Sequence, residues 1–522
     1  MTKKTAHHHR TKAVHTKTSN PHTRHHKHEA RVIFSNLIMV LSVVTIVSIL
    51  VLATMGYTIT NQSGSLGIIQ NGFIQFSSNP TGANILIDDK RIFAKTPNGS
   101  TVSPGQHFVT ITREGYDAWH RTVHVESGRV LWLDYALLLP QVKNSTIIKT
   151  YDQPIISSFS DNAQYLVTIS DELSYKLQIV ELTSDDTKTQ DIRRDLFTDI
   201  DSKGTKHSFS FVDWNYDNNK LLVRHQYGDS QEWILINARN LNDSINLTRA
   251  YRLPLTSVGF MSKNGNQLYV LENGNLRRAD INGKNISAVL ADNVEKFSVA
   301  NTGAVVYVSV PDANKAVYVN VYVDGERSPS TAYSPDKPIG TISVAGGEYF
   351  REDYVAVAED RKLTIIKGDF STLGKKSASD KTTTKIFDLD FPIEHLEMSA
   401  NKRFVMAVGK EQVFNYDLEF DVGSAFTLDG DHLSTEPIYW LNAGVIYTTR
   451  DGKLVIYDYN GENRREVLDT ISSSPVALTQ NSRYLYYIAE EPSNCSCVGT
   501  NDCAQDCDYP PVTLRRLDML AK

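Results

Sequence analysis

Four cysteines lie together near the C-terminal end of the sequence, with the spacing C-x-C-x5-C-x3-C. Cysteines pair as disulfides in oxidising compartments and bind zinc as thiolates. The spacing is not the pair of C-x-x-C motifs typical of structural zinc sites, so it favours two disulfides, with a zinc site as the alternative. Four cysteines allow three pairings, and the spacing does not choose among them. The candidates are Cys495, Cys497, Cys503 and Cys507.

A second pattern of possible ligands is Asp213-x-Asn215-x-Asp217, which resembles the first half of a calcium-binding loop. The loop requires glycine at its sixth position and an acidic residue at its twelfth, where this sequence has Asn218 and Arg224. Asp and Asn are also common turn residues, and the segment lies between two apolar runs. We therefore expect a structural turn here, and no metal site.

Motifs of enzymatic catalysis are missing from the sequence. It contains no G-x-S-x-G, no H-E-x-x-H, no Walker loop and no G-x-G-x-x-G before a helix. Outside the N-terminal tail the histidines are few and scattered. The sequence thus predicts no catalytic residue, no cofactor and no metal ligand, and a protein that is not an enzyme.

The elements that would position these residues repeat along the chain. Eight segments share one pattern, an apolar strand, a polar turn and a second apolar strand, and their mean spacing is about 45 residues, the length of a four-stranded propeller blade. The cysteines would then lie in a loop of the last blade. The segments are 157–169, 210–223, 258–271, 297–310, 342–358, 396–409, 438–449 and 476–489.

The two ends of this repeat array complement each other. The last copy ends with a third strand at 512–520, while 145–151 precedes the first copy and resembles the fourth strand of the preceding unit. Joining the two would remove free sheet edges. We predict a β-propeller over 141–522 that is closed by 145–151, with eight blades and seven as the alternative. The turns resemble those of TolB-like propellers, which implies a fold rather than a function.

A smaller β-rich region precedes the repeats, over 73–140, with short alternating strands between turn residues. It resembles a PEGA domain. This resemblance implies a small β-sandwich of the kind found on envelope proteins, used for packing or binding. The residues that carry it are the motif Pro80, Thr81, Gly82 and Ala83, then 85–88, Thr96-Pro97, 104–109 and Gly115-Tyr116.

The charge of the chain is divided by an apolar segment. The net charge of −6 combines +7 over 1–31 with −13 over the rest, and residues 32–55 carry no charge. A helix of that length spans about 36 Å, enough for a hydrocarbon core of about 30 Å. The segment predicts an uncleaved signal anchor, with a cleaved signal peptide or a buried core helix as alternatives. Positive charge before it predicts a cytoplasmic N-terminus.

The regions on either side of this segment have biased compositions. The tail 1–31 holds eight of the 15 histidines and lacks apolar periodicity, so we expect it to be disordered and to contact anionic lipid headgroups. Binding of a polyanion or weak metal binding are the alternatives for the tail. Residues 56–72 are rich in Gly, Ser, Asn and Gln and predict a flexible linker.

These observations together predict an all-β ectodomain on a single transmembrane helix. The leading hypothesis is a single-pass cell-membrane protein, an extracytoplasmic binding or scaffold protein of the cell envelope. Its expected partners are the lipid bilayer and an envelope protein or glycan bound by the propeller, and no nucleic acid is expected on the ectodomain. The alternative is an enzyme acting on envelope polysaccharide, with its active site in the propeller channel.

Overall fold

The structure is a computed structural model of the 522-residue chain. It describes residues 22–521, except 63–64, 171–174, 184–186, 203, 262–264, 336–340, 374–381, 429–437 and 492–510.

A long helix, α1 (His22–Thr54), begins the described chain. Its portion Val32–Thr54 is exposed and is long and apolar enough to cross a membrane, as a signal sequence would also be. The helix starts ten residues earlier than the predicted span, within the tail expected to be disordered. Since a helix propagates more easily than it nucleates, the apolar portion can extend it towards the N-terminus. The helix stops before Gly56, whose φ of 81° is left-handed.

The predicted linker contains regular structure. Strands β1 (Tyr57–Gln62) and β2 (Ser65–Gln70) pair antiparallel as a two-stranded sheet. The range 56–72 is thus not the irregular segment that its composition suggested. Its sequence has β-branched residues on both sides of Ser63-Gly64, a pattern that favours a hairpin.

The following region forms two antiparallel sheets, one with the strand order β6-β3-β9 and one with β5-β4-β7-β8. Buried apolar residues alternate along these strands, as in Ile74 and Phe76 on one and Ile85 and Ile87 on another. The strands are β3 (Gly72–Asn79), β4 (Asn84–Ile87), β5 (Lys90–Lys95), β6 (Asn98–Val102), β7 (Gly105–Thr112), β8 (Trp119–Val125) and β9 (Val130–Leu137), and β10 (Ser145–Tyr151) comes next.

Within the described residues from 145 onward, the chain forms eight consecutive four-stranded antiparallel sheets, here called blades 1 to 8. Blades 1 to 7 each use four successive strands. The strands of blades 1 to 4 are β11 (Ile155–Phe159), β12 (Tyr165–Ser170), β13 (Lys176–Glu181), β14 (Lys188–Asp191), β15 (His207–Trp214), β16 (Lys220–Tyr227), β17 (Ser230–Asn237), β18 (Ile245–Asn246), β19 (Leu255–Phe260), β20 (Gln267–Glu272), β21 (Asn275–Asp280), β22 (Asn285–Ile286), β23 (Val294–Val299), β24 (Val305–Ser309), β25 (Val319–Tyr322) and β26 (Ser330–Tyr333).

A short helix, α2 (Leu247–Tyr251), follows the last strand of blade 2. Blades 5 to 7 have the same strand order as blades 1 to 4. Blade 8 consists of β39, β40, β41 and the much earlier strand β10, which pairs with β41. The strands of blades 5 to 8 are β27 (Ile342–Tyr349), β28 (Glu352–Glu359), β29 (Lys362–Lys367), β30 (Thr383–Asp388), β31 (His395–Met398), β32 (Phe404–Val408), β33 (Gln412–Asp417), β34 (Val422–Thr427), β35 (Tyr439–Trp440), β36 (Val445–Thr448), β37 (Lys453–Asp458), β38 (Arg465–Asp469), β39 (Ala477–Leu478), β40 (Tyr484–Glu490) and β41 (Val512–Asp518).

Each blade shares a buried hydrophobic cluster with the next one. A further cluster, which includes Leu166 and Tyr486, joins blade 8 to blade 1. The first strands of neighbouring blades contact one another, as β23 contacts β27 and β27 contacts β31. Sheets that pack face to face with their first strands innermost form a β-propeller, which confirms the predicted fold class.

By its contacts the chain divides into two compact units. The first comprises the residues up to Phe76, with Asn98–His107 and Thr122–Leu133; the second comprises Ser77–Pro97, Phe108–Arg121 and Asp134–Lys522. The second unit therefore contains every blade together with part of the preceding β-region. All side-chain contacts discussed below lie within this second unit.

Candidate functional site

One turn recurs between the first and second strands of the blades. In blade 1, Ser160 Oγ accepts hydrogen bonds from the main-chain N of Gln164 (3.1 Å) and Tyr165 (3.0 Å), and it donates to Asn162 Oδ1 (2.9 Å). Blades 6 and 8 repeat the short-range bonds between hydroxyl, Asn and the second strand. The hydroxyl and the Asn thus fix the turn, and the residues between them project away from the sheet.

Four charged side chains from these turns and first strands influence one another's pKa values. They are Asp161 of blade 1, Asp213 of blade 2, and Glu397 and Lys402 of blade 6. Blades 2 and 6 share no hydrophobic cluster, yet the charges of Asp213 and Lys402 influence each other. The four residues lie on the first strands, which are innermost in a propeller, or on the turns that follow them, and we call them the channel cluster.

The pKa values of the channel cluster are shifted from their ordinary values. Asp213 is accessible to solvent but closely surrounded by protein; this desolvation, with the nearby charge of Asp161, raises its pKa to about 7. Desolvation and the charge of Glu397 also raise the pKa of Asp161. The pKa of Lys402 is lowered by desolvation, although Glu397 and Asp213 oppose this shift. Such groups can exchange protons near neutral pH.

A second set of titratable side chains lies inside blade 2. His225 Nδ1 lies 2.9 Å from Glu232 Oε1, and His225 Nε2 lies 2.9 Å from His207 Nδ1. Glu232 also accepts hydrogen bonds from Thr198 N, Thr198 Oγ1 and Asn246 Nδ2 at 2.6–2.7 Å. Burial raises the pKa of Glu232, but these hydrogen bonds outweigh it and bring the pKa to about 2. Because both of its oxygens accept hydrogen bonds and it is only 1% exposed, Glu232 anchors a loop and is closed to ligands.

The motif Pro80, Thr81, Gly82 and Ala83 forms a turn in the β-region. Thr96 holds it: Thr96 Oγ1 accepts from Ala83 N (3.0 Å), and Gly82 N donates to Thr96 O (2.7 Å). Gly82 has a φ of 82°, which favours glycine, and Ala83 is fully buried. Turn geometry and packing therefore account for the motif.

Trp119 of the β-region is fully buried, and its indole Nε1 donates to Asp458 Oδ2 in blade 7 at 2.8 Å. Asn463 donates to the same carboxylate oxygen (2.8 Å) and to His120 O (2.8 Å), and it accepts from His120 N (3.1 Å). Burial raises the pKa of Asp458 to about 6, even though the charge of Arg465 lowers it. We call this contact between the β-region and blades 6 and 7 the junction.

Arginines extend the junction on both sides. Arg121 lies over the rings of Tyr135 and Tyr459, with its Cζ 5.2 and 5.0 Å from their centroids, and donates to Tyr459 Oη at 2.9 Å. Arg403 of blade 6 forms a bidentate pair with Asp417 at 2.8 and 3.0 Å, and its Nη1 lies 3.6 Å from Asp134 Oδ1 in the β-region. These cations are held by aromatic faces and carboxylates together, a geometry that suits arginine.

Two of the sequence predictions meet different outcomes. The Asp213–Asp217 segment contains a turn in which Asn215 Oδ1 accepts from the main-chain N of Asn219 and Lys220, at 2.9 and 2.8 Å. The four cysteines lie outside the described residues, so the disulfides have no structural support and stay a prediction. Free-thiol titration of the denatured protein tests them, because four free thiols would exclude any disulfide.

Sequence reasoning missed the junction, and it singled out Asp213 only as part of a turn and not as a member of a charged cluster. The sequence offered one signal, a polar or aromatic residue at an unexpected place. Asp458 ends an apolar strand, and Trp119 begins a short strand. Neither residue lies in a motif. The residues with which they interact could not be predicted from the sequence, because they lie in distant parts of the chain.

Comparison with known proteins agrees with this architecture. Residues 72–139 match the PEGA domain family model. A comparison with curated proteins finds no match. Among solved structures, the chain is similar to AztD from Citrobacter koseri in its apo form, with 12% identity, coverage of 75% of this chain and 96% of that one, and a TM-score of 0.38.

Two other solved structures give comparable values. An oligogalacturonate lyase from Vibrio parahaemolyticus has 8% identity, coverage of 73% of this chain and 100% of that one, and a TM-score of 0.39. The Swd1 β-propeller domain of Myceliophteria thermophila has 12% identity, coverage of 63% and 100%, and a TM-score of 0.38. The family match assigns residues 72–139 to the PEGA family, and the eight sheets described above form the β-propeller that follows.

Proposed function

We propose that the protein is a membrane-anchored scaffold of the cell envelope, whose propeller binds a protein or glycan partner outside the cytoplasm. The observation that carries this proposal is the junction. A flexible tether would need no buried contact between the PEGA domain and the blades, yet Trp119 and Arg121 donate hydrogen bonds to blade residues, and Asp134 lies 3.6 Å from Arg403. Such contacts fix residues 119–121 of the PEGA domain to blade 7.

Charge and the apolar helix support the membrane placement. The +7 tail before Val32 and the −13 charge after it are the asymmetry that retains an N-terminus in the cytoplasm. Propeller faces carry turns from every blade, so they offer a broad surface for a partner. The proposal assigns the helix to anchoring, the PEGA domain to mounting and the propeller to binding.

Reporter fusions test the topology. A periplasmic-type phosphatase at the C-terminus should be active, and a fluorescent protein that fails to mature after export should fluoresce at the N-terminus. A cytoplasmic C-terminus, or release of the ectodomain by cleavage after α1, would contradict the anchored topology.

Cross-linking of the full chain in intact cells tests the scaffold role. We expect one envelope partner to be cross-linked to the propeller, and Trp119→Ala to reduce the yield at equal membrane abundance because the mount is loosened. Trp132→Ala is the matched control, since Trp132 is 42% exposed in the same domain. Equal yields from both variants would remove the mounting role.

The channel cluster supports a second candidate function, that of an enzyme acting on envelope polysaccharide. Asp213, whose pKa is raised to about 7 by desolvation and by the charges of Asp161 and Glu397, has the protonation behaviour that a general acid needs. Depolymerisation of a cell-wall polysaccharide by the full chain would support this function if Asp213→Asn abolished it. The turn variant Asp217→Asn should then retain activity. Activity that survives Asp213→Asn would place the chemistry elsewhere.

A further inference from the structure

The side chain of Lys149, on the closing strand β10, is bonded to blade 1 although β10 belongs to blade 8. Its Nζ donates to Gln178 Oε1 at 2.9 Å and to Thr189 Oγ1 at 3.3 Å, and lies 4.9 Å from the ring centroid of Tyr151. The pairing of β10 with β41 shifts register between Ile147 and Lys149, and such a bulge redirects the side chains of a strand. This contact is distinct from the channel cluster and from the junction.

The carboxamide of Gln178 is hydrogen-bonded at both of its polar atoms. Its Oε1 accepts from Lys149, and its Nε2 donates to Asp191 Oδ1 at 2.8 Å across the β13–β14 pairing. Transfer of an acyl group from an amide to an amine needs an amine beside the carbonyl group and an acid beside the leaving nitrogen. Lys149 and Asp191 occupy these two places.

The amine of Lys149 is made more nucleophilic by its surroundings. Desolvation and the positive charge of Lys176 lower the pKa of Lys149, and the negative charge of Asp191 opposes them only in part. A lowered pKa increases the population of the neutral amine, which is the nucleophilic form. Because a C=O bond is about 1.2 Å long, the hydrogen bond to Oε1 keeps Nζ within about 4.1 Å of Gln178 Cδ.

We propose that Lys149 and Gln178 form a covalent link, an amide between Lys149 Nζ and Gln178 Cδ. The neutral amine attacks Cδ, which creates the new C–N bond and places a negative charge on Oε1. The positive charge of Lys176, which lies close enough to affect Lys149, stabilises that oxyanion. Asp191 receives the proton that the attacking nitrogen loses and passes it to Nε2, the old C–N bond breaks, and ammonia leaves. One C–N bond replaces another, so the step needs no oxidant, reductant or second substrate.

The fold supplies what this reaction needs to proceed without an enzyme. Reacting groups held within one molecule reach effective molarities of about 10⁵–10⁸ M, which compensates for the low reactivity of an amide. Gln178 is 7% exposed, so water has little access to the carbonyl carbon and competes poorly with the amine. Asp191 is exposed and therefore exchanges protons with solvent.

The link joins the closing strand of the propeller to β13 of blade 1. Strand β10 follows the PEGA domain in the chain, so tension on that domain reaches the propeller first through β10. A covalent bond at Lys149 passes that tension to blade 1 instead of to the β10–β41 hydrogen bonds alone. The inference goes beyond the proposed function, because the reaction requires neither a membrane nor a partner.

Mass spectrometry of tryptic peptides from the purified full chain tests the inference. Trypsin does not cleave after an acylated lysine, so the bond after Lys149 should stay intact. Peptide 144–176 should be recovered joined to peptide 177–188, which contains Gln178. The joined species should be lighter than the sum of the two peptides by about 17 Da, the mass of the ammonia that leaves.

Variants assign the roles of the two groups beside Gln178. Lys149→Arg keeps the positive charge but removes the amine, and should abolish the link. Asp191→Asn removes the proton carrier and should lower the linked fraction about tenfold or more. The matched controls Lys188→Arg and Asp152→Asn change the same groups at exposed positions nearby and should leave the linked fraction as in the native chain.

Recovery of 144–149 and 177–188 from the native chain as separate peptides of full mass would overturn the inference. So would peptide 177–188 with Glu in place of Gln178, since water rather than Lys149 would then have attacked the amide. Equal linked fractions in Asp191→Asn and Asp152→Asn would also contradict it, because Asp191 would not carry the proton. The peptides report on this bond alone, whereas failure of the reporter fusions would concern the proposed function.

Discussion

The junction and the channel cluster each contain an aspartate whose pKa is raised by desolvation, Asp458 to about 6 and Asp213 to about 7. Their surroundings differ in one respect. Asp458 is fully buried and receives hydrogen bonds from Trp119 and Asn463, whereas Asp213 is accessible to solvent in the channel. A raised pKa therefore accompanies a structural contact at the junction, and a carboxyl group that solvent or a ligand can reach in the channel cluster. The hydrogen-bond partners, rather than the pKa, separate the two roles.

The largest expected effect is a loss of stability when the junction is disrupted at Trp119. Trp119→Ala should lower the free energy of unfolding by about 3–5 kcal/mol, because it creates a cavity at a fully buried site. Denaturant-induced unfolding of the full chain in detergent measures this loss. Trp119→Phe keeps most of the packing but removes the donor to Asp458, and should cost about 1–3 kcal/mol.

The matched control for this prediction is Trp132→Ala, at an exposed tryptophan of the same domain. It should change the free energy of unfolding by no more than about 0.5 kcal/mol. A loss in Trp132→Ala as large as that in Trp119→Ala would show that the junction is not the element that stabilises the second unit.

A smaller effect is the pH dependence contributed by Asp458. Its folded pKa of about 6 exceeds the ordinary 3.8, so the folded state binds a proton that the unfolded state releases between these values. The contribution of Asp458 to stability is therefore fully present below about pH 4 and is lost as pH rises through about 6, by about 3 kcal/mol at most. Asp458→Asn should remove this loss and gain stability relative to the native chain between pH 4 and 7.

Unfolding curves of the two proteins at matched pH values provide the measurement. The difference between them isolates Asp458 from the other titrating groups. A difference that stays constant from pH 4 to 7 would mean that the Asp458 pKa is not raised, and the comparison with Asp213 would lose its basis.

The contrast also shows what the sequence could predict. The recurring turn is local, because Ser160 bonds to Asn162 and to Tyr165 within five residues. The sequence pattern could therefore predict the repeat and the β-propeller fold. The PEGA motif is local for the same reason and is confirmed by the family match. Trp119 and Asp458 are 339 residues apart, and their contact depends on which blade meets the PEGA strands.

The channel cluster was unpredictable for a related reason. The charges of Asp213 and Lys402 influence each other although the two residues belong to blades 2 and 6, and the spacing within a single repeat cannot predict such a relation. Local pattern predicts the elements of a repeat fold, and functional sites arise where distant repeats meet.

The smallest expected effect concerns Asp213, the solvent-accessible aspartate of the two. Asp213→Asn should leave stability nearly unchanged below about pH 4 and raise it slightly, relative to the native chain, as pH increases from about 4 to 7, because only the native folded state holds a proton there that its unfolded state releases. It also removes a negative charge that raises the Lys402 pKa, so that pKa should fall further. Lys402 should then react faster with an amine-acylating reagent at pH 8, as measured by mass spectrometry, while Asp217→Asn should not change the rate. An unchanged rate in Asp213→Asn would mean that the charge of Asp213 does not affect the Lys402 pKa, so that the channel cluster would contain no coupled acid and base.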